Sequence, residues 1–352
     1  FKEAVTIDSL DGNDFIITSD KNDNITSNSG NNTIYAGAGD NIINTGNGND
    51  TIVVKAGNSQ INSGAGDDII TSSYGQNIIY GGAGNDTIKD SFQKTQEFDE
   101  GLLNDNDIIY GGDGDDIIEA GYGNDKLHGG SGNDRISALS GNNSEDANED
   151  DELYGEEGND TLIAGYGKSK LYGGVGNDIL YAGSNDNLLD GGEGNDKLYG
   201  SQGIDTLLGG EGNDEIYDSG NSADIINGGK GDDILSAGIG ADKYIYKIGD
   251  GKDIIKEVGT DVDTIEFDGI NKEDITFIKS NNNLILKIDD NNQITIENFY
   301  SSYSQSRVEV LSFNNGLQTV DLIQTLLRTP TINNDYLEFT VNDDNINALA
   351  GD

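Results

Sequence analysis

Aspartate recurs every nine residues along most of the chain, each time at the sixth place of a nonapeptide whose first four places are rich in glycine. From Ser9 the text reads SLDGNDFII, TSDKNDNIT, SNSGNNTIY, AGAGDNIIN, TGNGNDTIV, VKAGNSQIN, SGAGDDIIT, SSYGQNIIY and GGAGNDTIK without a gap. Four more units run from 102 to 137, eight from 146 to 217 and three from 219 to 245, giving 24, separated by excursions at 90–101 and 138–145 and by the extra residue Asp218. The sixth place is Asp in 18 units, Asn in four and Ser in two. A carboxylate beside bare glycine carbonyls offers hard oxygen donors of both kinds that a hard divalent cation takes. One Asp in a glycine turn would be only a turn former. A column of them is different, because like charges about 4.8 Å apart repel by about 1 kcal/mol in water and by more when buried. Asn would make the turn without that repulsion, so the repeated Asp points to a cation between the turns.

The eighth place is Ile, Leu or, once, Tyr244, whereas the seventh and ninth are mostly polar or Tyr. That alternation predicts a three-residue strand with one inward side chain per unit. One such residue is too little core for a unit standing alone, and only stacking makes it continuous. The six glycine-rich places between strands read as turns.

Units such as GGAGNDTIK, GGSGNDRIS and GGEGNDEIY resemble the GGXGXDXUX nonapeptides (U apolar) of the repeats-in-toxin family, also called haemolysin-type calcium-binding repeats, over about two-thirds of the chain. The resemblance implies an all-β, right-handed parallel β-roll at 1–245 that binds several Ca2+ ions in its turns and belongs to a large secreted bacterial protein. With two nonapeptides per coil, as in the family, the turns form two rows. Row one carries Asp14, Asn32, Asp50, Asp68, Asp86, Asp116, Asp134, Asp160, Asp178, Asp196, Asp214 and Asp233, always with Gly at the fourth place. Row two carries Asp23, Asn41, Ser59, Asn77, Asp107, Asp125, Asp151, Ser169, Asn187, Asp205, Asp224 and Asp242, with Gly at the fourth place in seven of twelve units, and all three insertions precede row-two units. The expected metal ligands are Asp14, Asp50, Asp68, Asp86, Asp107, Asp116, Asp125, Asp134, Asp160, Asp178, Asp196, Asp205, Asp214, Asp224, Asp233 and Asp242. They are joined by the carbonyls of Gly46, Gly48, Gly64, Gly66, Gly82, Gly84, Gly112, Gly114, Gly130, Gly132, Gly174, Gly176, Gly192, Gly194, Gly210, Gly212, Gly229 and Gly231. Row one is expected to be nearly filled with calcium and row two to be patchy, with its neutral positions Asn41, Ser59, Asn77, Ser169 and Asn187 in doubt.

Composition agrees with this chemistry. Twenty Lys and Arg against 65 Asp and Glu leave a net charge of -45, which excludes nucleic acid and anionic lipid as partners. There is no Cys, so neither disulfides nor thiolate metal sites arise, and no apolar run is long enough for membrane insertion. His128 is the sole histidine, which rules out an HEXXH zinc site and leaves one candidate for a nucleophile's base, at an outward strand place. Catalytic residues are therefore expected to be absent, and the acidic excursions read as solvated loops. Tyr181, Tyr199 and Tyr217, 18 apart, are expected to form an outward ladder packed across strands.

From Tyr246 the period fails, and alternating runs at 275–279, 284–288, 294–299 and 308–313 predict strands, with a short amphipathic helix near 320–327. The pieces GDGKDIIKE and DTIEF resemble the capping domain that follows such repeats, so 246–329 is expected to be a β-rich cap over an open sheet edge. Pro330 marks a linker, and FTVNDDNIN followed by ALAGD at 330–352 reads as the start of a further repeat block in a longer protein. The expected function is a non-catalytic, calcium-dependent folding and structural module of a secreted or cell-surface bacterial protein, an adhesin or surface-layer protein. The alternative is the repeat region of a toxin, or of a protease, lipase or epimerase whose catalytic domain lies outside this chain. Self-association and a cell-surface glycan stand open as further partners.

Overall fold

The computed structural model describes residues 3–90, 105–138, 149–301, 307–313 and 316–327. The expected loop excursions, apart from Asp90 and Ala138, and the expected linker and repeat start at 330–352 lie outside them. Contacts divide the chain into two compact units, Phe1–Asn187 and Leu188–Asp352.

In the first unit successive strands alternate between two parallel sheets, so each strand pairs with the one two places later. Ile25 aligns with Ile43 in one sheet and Ile34 with Ile52 in the other, 18 residues apart, so one coil is two nonapeptides. The excursions leave this alternation intact: Ile79 aligns with Ile109 and Ile88 with Ile118 across the first, and Leu127 with Leu153 across the second. Every described eighth-place residue is buried, Ile16 at 8% exposure being the least so. Burying an Ile or Leu contributes about 1.5–3 kcal/mol. Because the next coil supplies another Ile or Leu at the same height, the core is a continuous column.

One sheet departs from the expected strand length. From Gln60–Ala65 onward its strands have six residues, as in Ile78–Ala83, Ile108–Asp113 and Lys126–Ser131. They run through places seven to nine of a row-two unit and on through the first three places of the next row-one unit. The turn therefore begins at the fourth place, where glycine holds a positive φ, for example 123° at Gly48 and 127° at Gly84. Only glycine adopts that geometry without strain.

The second unit repeats the scheme and extends it. Lys252–Ile255 adds to Ile234–Ser236, and Asp263–Asp268 adds to Lys243–Lys247, all in parallel. Gln293–Ile296 and Val308–Phe313 then continue the two sheets, so neither ladder breaks at the expected boundary of 245/246. The reason lies in the side chains: Ile255 and Ile265 take the inward place, and Asp253 and Asp263 take the sixth place, although the nine-residue spacing is gone. The antiparallel strands Asn283–Lys287 and Thr276–Ser280 finish one sheet, and Gln318–Asp321 finishes the other. Thr276–Ser280, Asn283–Lys287, Gln293–Ile296 and Val308–Phe313 lie where alternation placed them, whereas Gln318–Asp321 is a strand outside the expected runs, and the expected helix is a short helical turn, Ile323–Leu327.

Candidate calcium-binding turns

The two oxygens of a sixth-place aspartate have different surroundings. Oδ1 accepts the backbone N–H of the sixth residue one coil earlier: Asp50 donates to Asp68 at 2.7 Å, Asp116 to Asp134 at 2.8 Å and Asp214 to Asp233 at 2.8 Å. Oδ2 of Asp50, Asp68, Asp86, Asp116, Asp134, Asp160, Asp214 and Asp233 is buried without a hydrogen-bond partner. A buried carboxylate in that state is costly and takes up a proton unless a cation meets it. Burial, with neighbouring aspartates adding to it, pushes Asp86, Asp116, Asp134, Asp160 and Asp214 up to about 7.

What the free oxygen faces is set by the first place of the unit. A β-carbon added at Gly81 would lie closer than 3.0 Å to both Asp86 Oδ2 and the Gly111 carbonyl oxygen of the next coil. The same holds at Gly111 for Asp116 and Gly129, at Gly129 for Asp134 and Gly155, and at Gly209 for Asp214 and Gly228. Each first-place glycine thus leaves a hollow lined by an unpaired carboxylate oxygen and a carbonyl oxygen, a donor set that fits Ca2+.

The asparagine units show how a sixth-place side chain engages a fourth-place carbonyl. Asn32 Nδ2 donates to the Gly30 carbonyl at 2.8 Å, Asn41 to Gly39 at 3.0 Å and Asn77 to Gly75 at 2.9 Å. An amide N–H therefore gathers the fourth-place oxygen that a cation would gather in an aspartate unit. The second-place carbonyl of Gly46 instead accepts the Ala65 N–H at 2.7 Å. First-place carbonyls did not figure among the expected ligands. Glycine at the first place of eight row-one units was the sequence signal for them.

Row one divides where uniformity was expected. Its first four units begin with Ser9, Ser27, Thr45 and Ser63 instead of glycine. Thr45 Oγ1 donates to the Ser63 carbonyl and Ser63 Oγ to the Gly81 carbonyl, both at 2.7 Å. Asp14, Asp50 and Asp68 therefore keep the carboxylate, but a β-carbon and hydroxyl stand where the hollow would be. Several row-two units are closed in a third way, by the buried first-place side chains Ala36, Val54, Ala120, Ala164 and Ala237. Asp125 and Asp242 thus lack the glycine hollow, as do the neutral positions Asn41 and Ser59.

The insertions bring extra carboxylates into row two. Asp90 and Asp105, buried beside the first excursion, lie close enough to Asp107 to raise it, after burial, to about 8. Two tighter groups, Asp205 with Asp218 and Asp224, and Asp242 with Glu257 and Asp263, each offer three carboxylate oxygens within 4.8 Å of one another. In the second group the Tyr244 hydroxyl donates to Glu257 at 2.7 Å.

The outward ninth place carries a ring ladder. Tyr80, Tyr110, His128, Tyr154 and Tyr172 stack with centroids 4.6–5.0 Å apart. His128 also meets Glu156 at 2.7 Å through Nδ1. Tyr199 stacks on Tyr217 at 6.0 Å. The ring faces are covered by one another, which is cross-strand packing.

No helix among the described residues is long and apolar enough to cross a membrane. No curated protein matches the chain. The haemolysin-type calcium binding protein related domain matches 283–318, within the strands that finish the sheets. The RTX calcium-binding nonapeptide repeat (4 copies) matches overlapping stretches covering 8–88, 103–144 and 154–253, well over half of the sequence. With the nonapeptide columns, the paired parallel sheets and the carboxylate-lined turns in agreement, the chain belongs to the RTX calcium-binding nonapeptide repeat family.

Proposed function

We propose that this chain is a calcium-dependent folding and structural module of a secreted or cell-surface bacterial protein, and that its row-one turns from Gly81 onward hold the ions. The supporting observation is the set of buried, partnerless Asp Oδ2 atoms facing hollows that first-place glycines leave open. Extracellular calcium modules work at affinities of about 0.1–1 mM, so the low calcium of a cytosol leaves the carboxylates unneutralised. A net charge of -45 then favours an expanded chain suited to export as a thread. Outside, calcium binds only the coiled form and stabilises it by mass action. An adhesin or surface-layer protein is the context we favour, since there a segment that stiffens on meeting calcium supports whatever is attached to it. Far-UV circular dichroism during calcium titration tests the reading: β structure appears cooperatively, with a Hill slope well above one, and disappears on chelation. Dichroism unchanged by chelation refutes it.

A further inference from the structure

Row two has a first-place column of its own. Its members typically donate their N–H to the ninth-place carbonyl of the next coil, as Ala164 does to Tyr181 at 3.0 Å and Gly200 to Tyr217 at 2.9 Å. Asp218 makes the same bond, to Ser236 at 2.7 Å. The residue that broke the period is therefore not a spacer before the unit. It occupies the first place itself, 18 residues after Gly200, and the added residue falls in the turn behind it.

Elsewhere this column holds mostly small uncharged side chains such as Ala36, Ala120, Ala164 and Ala237, the other charged member being Asp90, aligned with Ser72. Gly200 and Asp218 are two departures that fit each other, because a β-carbon at Gly200 would occupy the space of Asp218 Oδ2. Asp218 is 6% exposed, Asp224 1% and Asp205 fully buried. Oδ2 of Asp218 and Oδ2 of Asp224 have no hydrogen-bond partner.

We infer that Asp205, Asp218 and Asp224 form a calcium site of a different design from the nonapeptide turns, created by an aspartate at the first place. Its three carboxylates supply three negative charges, whereas a row-one hollow has one free carboxylate oxygen. The donors are hard oxygens with no nitrogen or sulfur among them. Their spread of up to 4.8 Å matches a cation whose ligands stand about 2.3–2.6 Å away on opposite sides. Greater ligand charge gives tighter binding, so this site fills before the row-one turns. The inference borrows from the proposed function only the identity of the ion.

Isothermal titration of the full chain with calcium alone, in wild type and in D218A and D218N, tests it. Alanine is the column's commonest residue, so D218A keeps the coil. Both variants are expected to bind one ion fewer, with the tightest phase weakened at least tenfold and calcium-driven folding retained. Wild-type count and wild-type affinity in both variants overturn the site and indicate that Asp205 and Asp218 share a proton instead. Anomalous diffraction from calcium-grown wild-type crystals decides the matter even if the variants fold poorly: a peak among the three carboxylates supports the site, and its absence overturns it. A wild-type chain that folds with calcium but lacks this peak refutes this site alone, whereas one that takes up no calcium refutes the proposed function as well.

Discussion

At the scale of single residues, aspartate and asparagine at the sixth place are two solutions to one problem. Asparagine satisfies the turn internally, its amide donating to the fourth-place carbonyl as Asn32 does to Gly30. Aspartate leaves Oδ2 buried and bare, as at Asp116. Asp116→Asn should therefore lose one calcium yet be less hindered without it. Removing the unpaired carboxylate is expected to stabilise the coil by about 1–3 kcal/mol in chelator. Losing the ion should cost about 2.7 kcal/mol when calcium is a hundredfold above its dissociation constant. Urea melts with and without calcium check both signs, and an equal effect in the two conditions contradicts the exchange. The sequence displayed the sixth and eighth places openly because charge and hydropathy recur there. It hid the meaning of the first place, since Gly, Ser and Ala are all ordinary turn residues and differ only in whether a β-carbon occupies the hollow.

At the scale of the repeat element, the first place is, under the proposed function, the position that decides which coils take metal. Ser63 closes its hollow and binds the Gly81 carbonyl, while Gly81 leaves the next one open. Ser63→Gly should open a hollow beside Asp68 and raise the calcium count of the full chain by one, read by titration or by anomalous scattering. An unchanged count means that the turn, and not the side chain, closes the site. Periodicity made the strands legible as far as Ile245, and alternation located those at the far end except Gln318–Asp321. It missed that the two ladders continue through Asp253 and Asp263, because a coil needs its inward Ile and its turn Asp in the right places but does not need nine-residue spacing to supply them. It also gave strands of three residues where one sheet has six. Glycine is a poor strand former by propensity, yet at Gly82 and Gly112 the pairing of neighbouring coils overrides that preference.

For the molecule as a whole, protons and calcium compete for the same oxygens, and this fixes the sign of the pH response. Burial raises Asp86, Asp116, Asp134, Asp160 and Asp214 from the ordinary 3.8 to about 7 in the coiled form. Between those values the coil holds protons that the unfolded chain has released, so acid favours the coil. Without calcium, this contribution is complete below about pH 4 and is lost as pH rises through about 7. Lower pH also reduces the net charge of -45 that drives expansion. In chelator, β dichroism and a small hydrodynamic radius should therefore appear on acidification from pH 8 towards 4. With calcium the order reverses, since each ion must displace a proton, so the calcium midpoint should fall as pH rises towards 7 and level off above it. A chelated chain that is equally expanded at pH 4 and pH 8 would show that the sixth-place carboxylates are not what holds the coils apart.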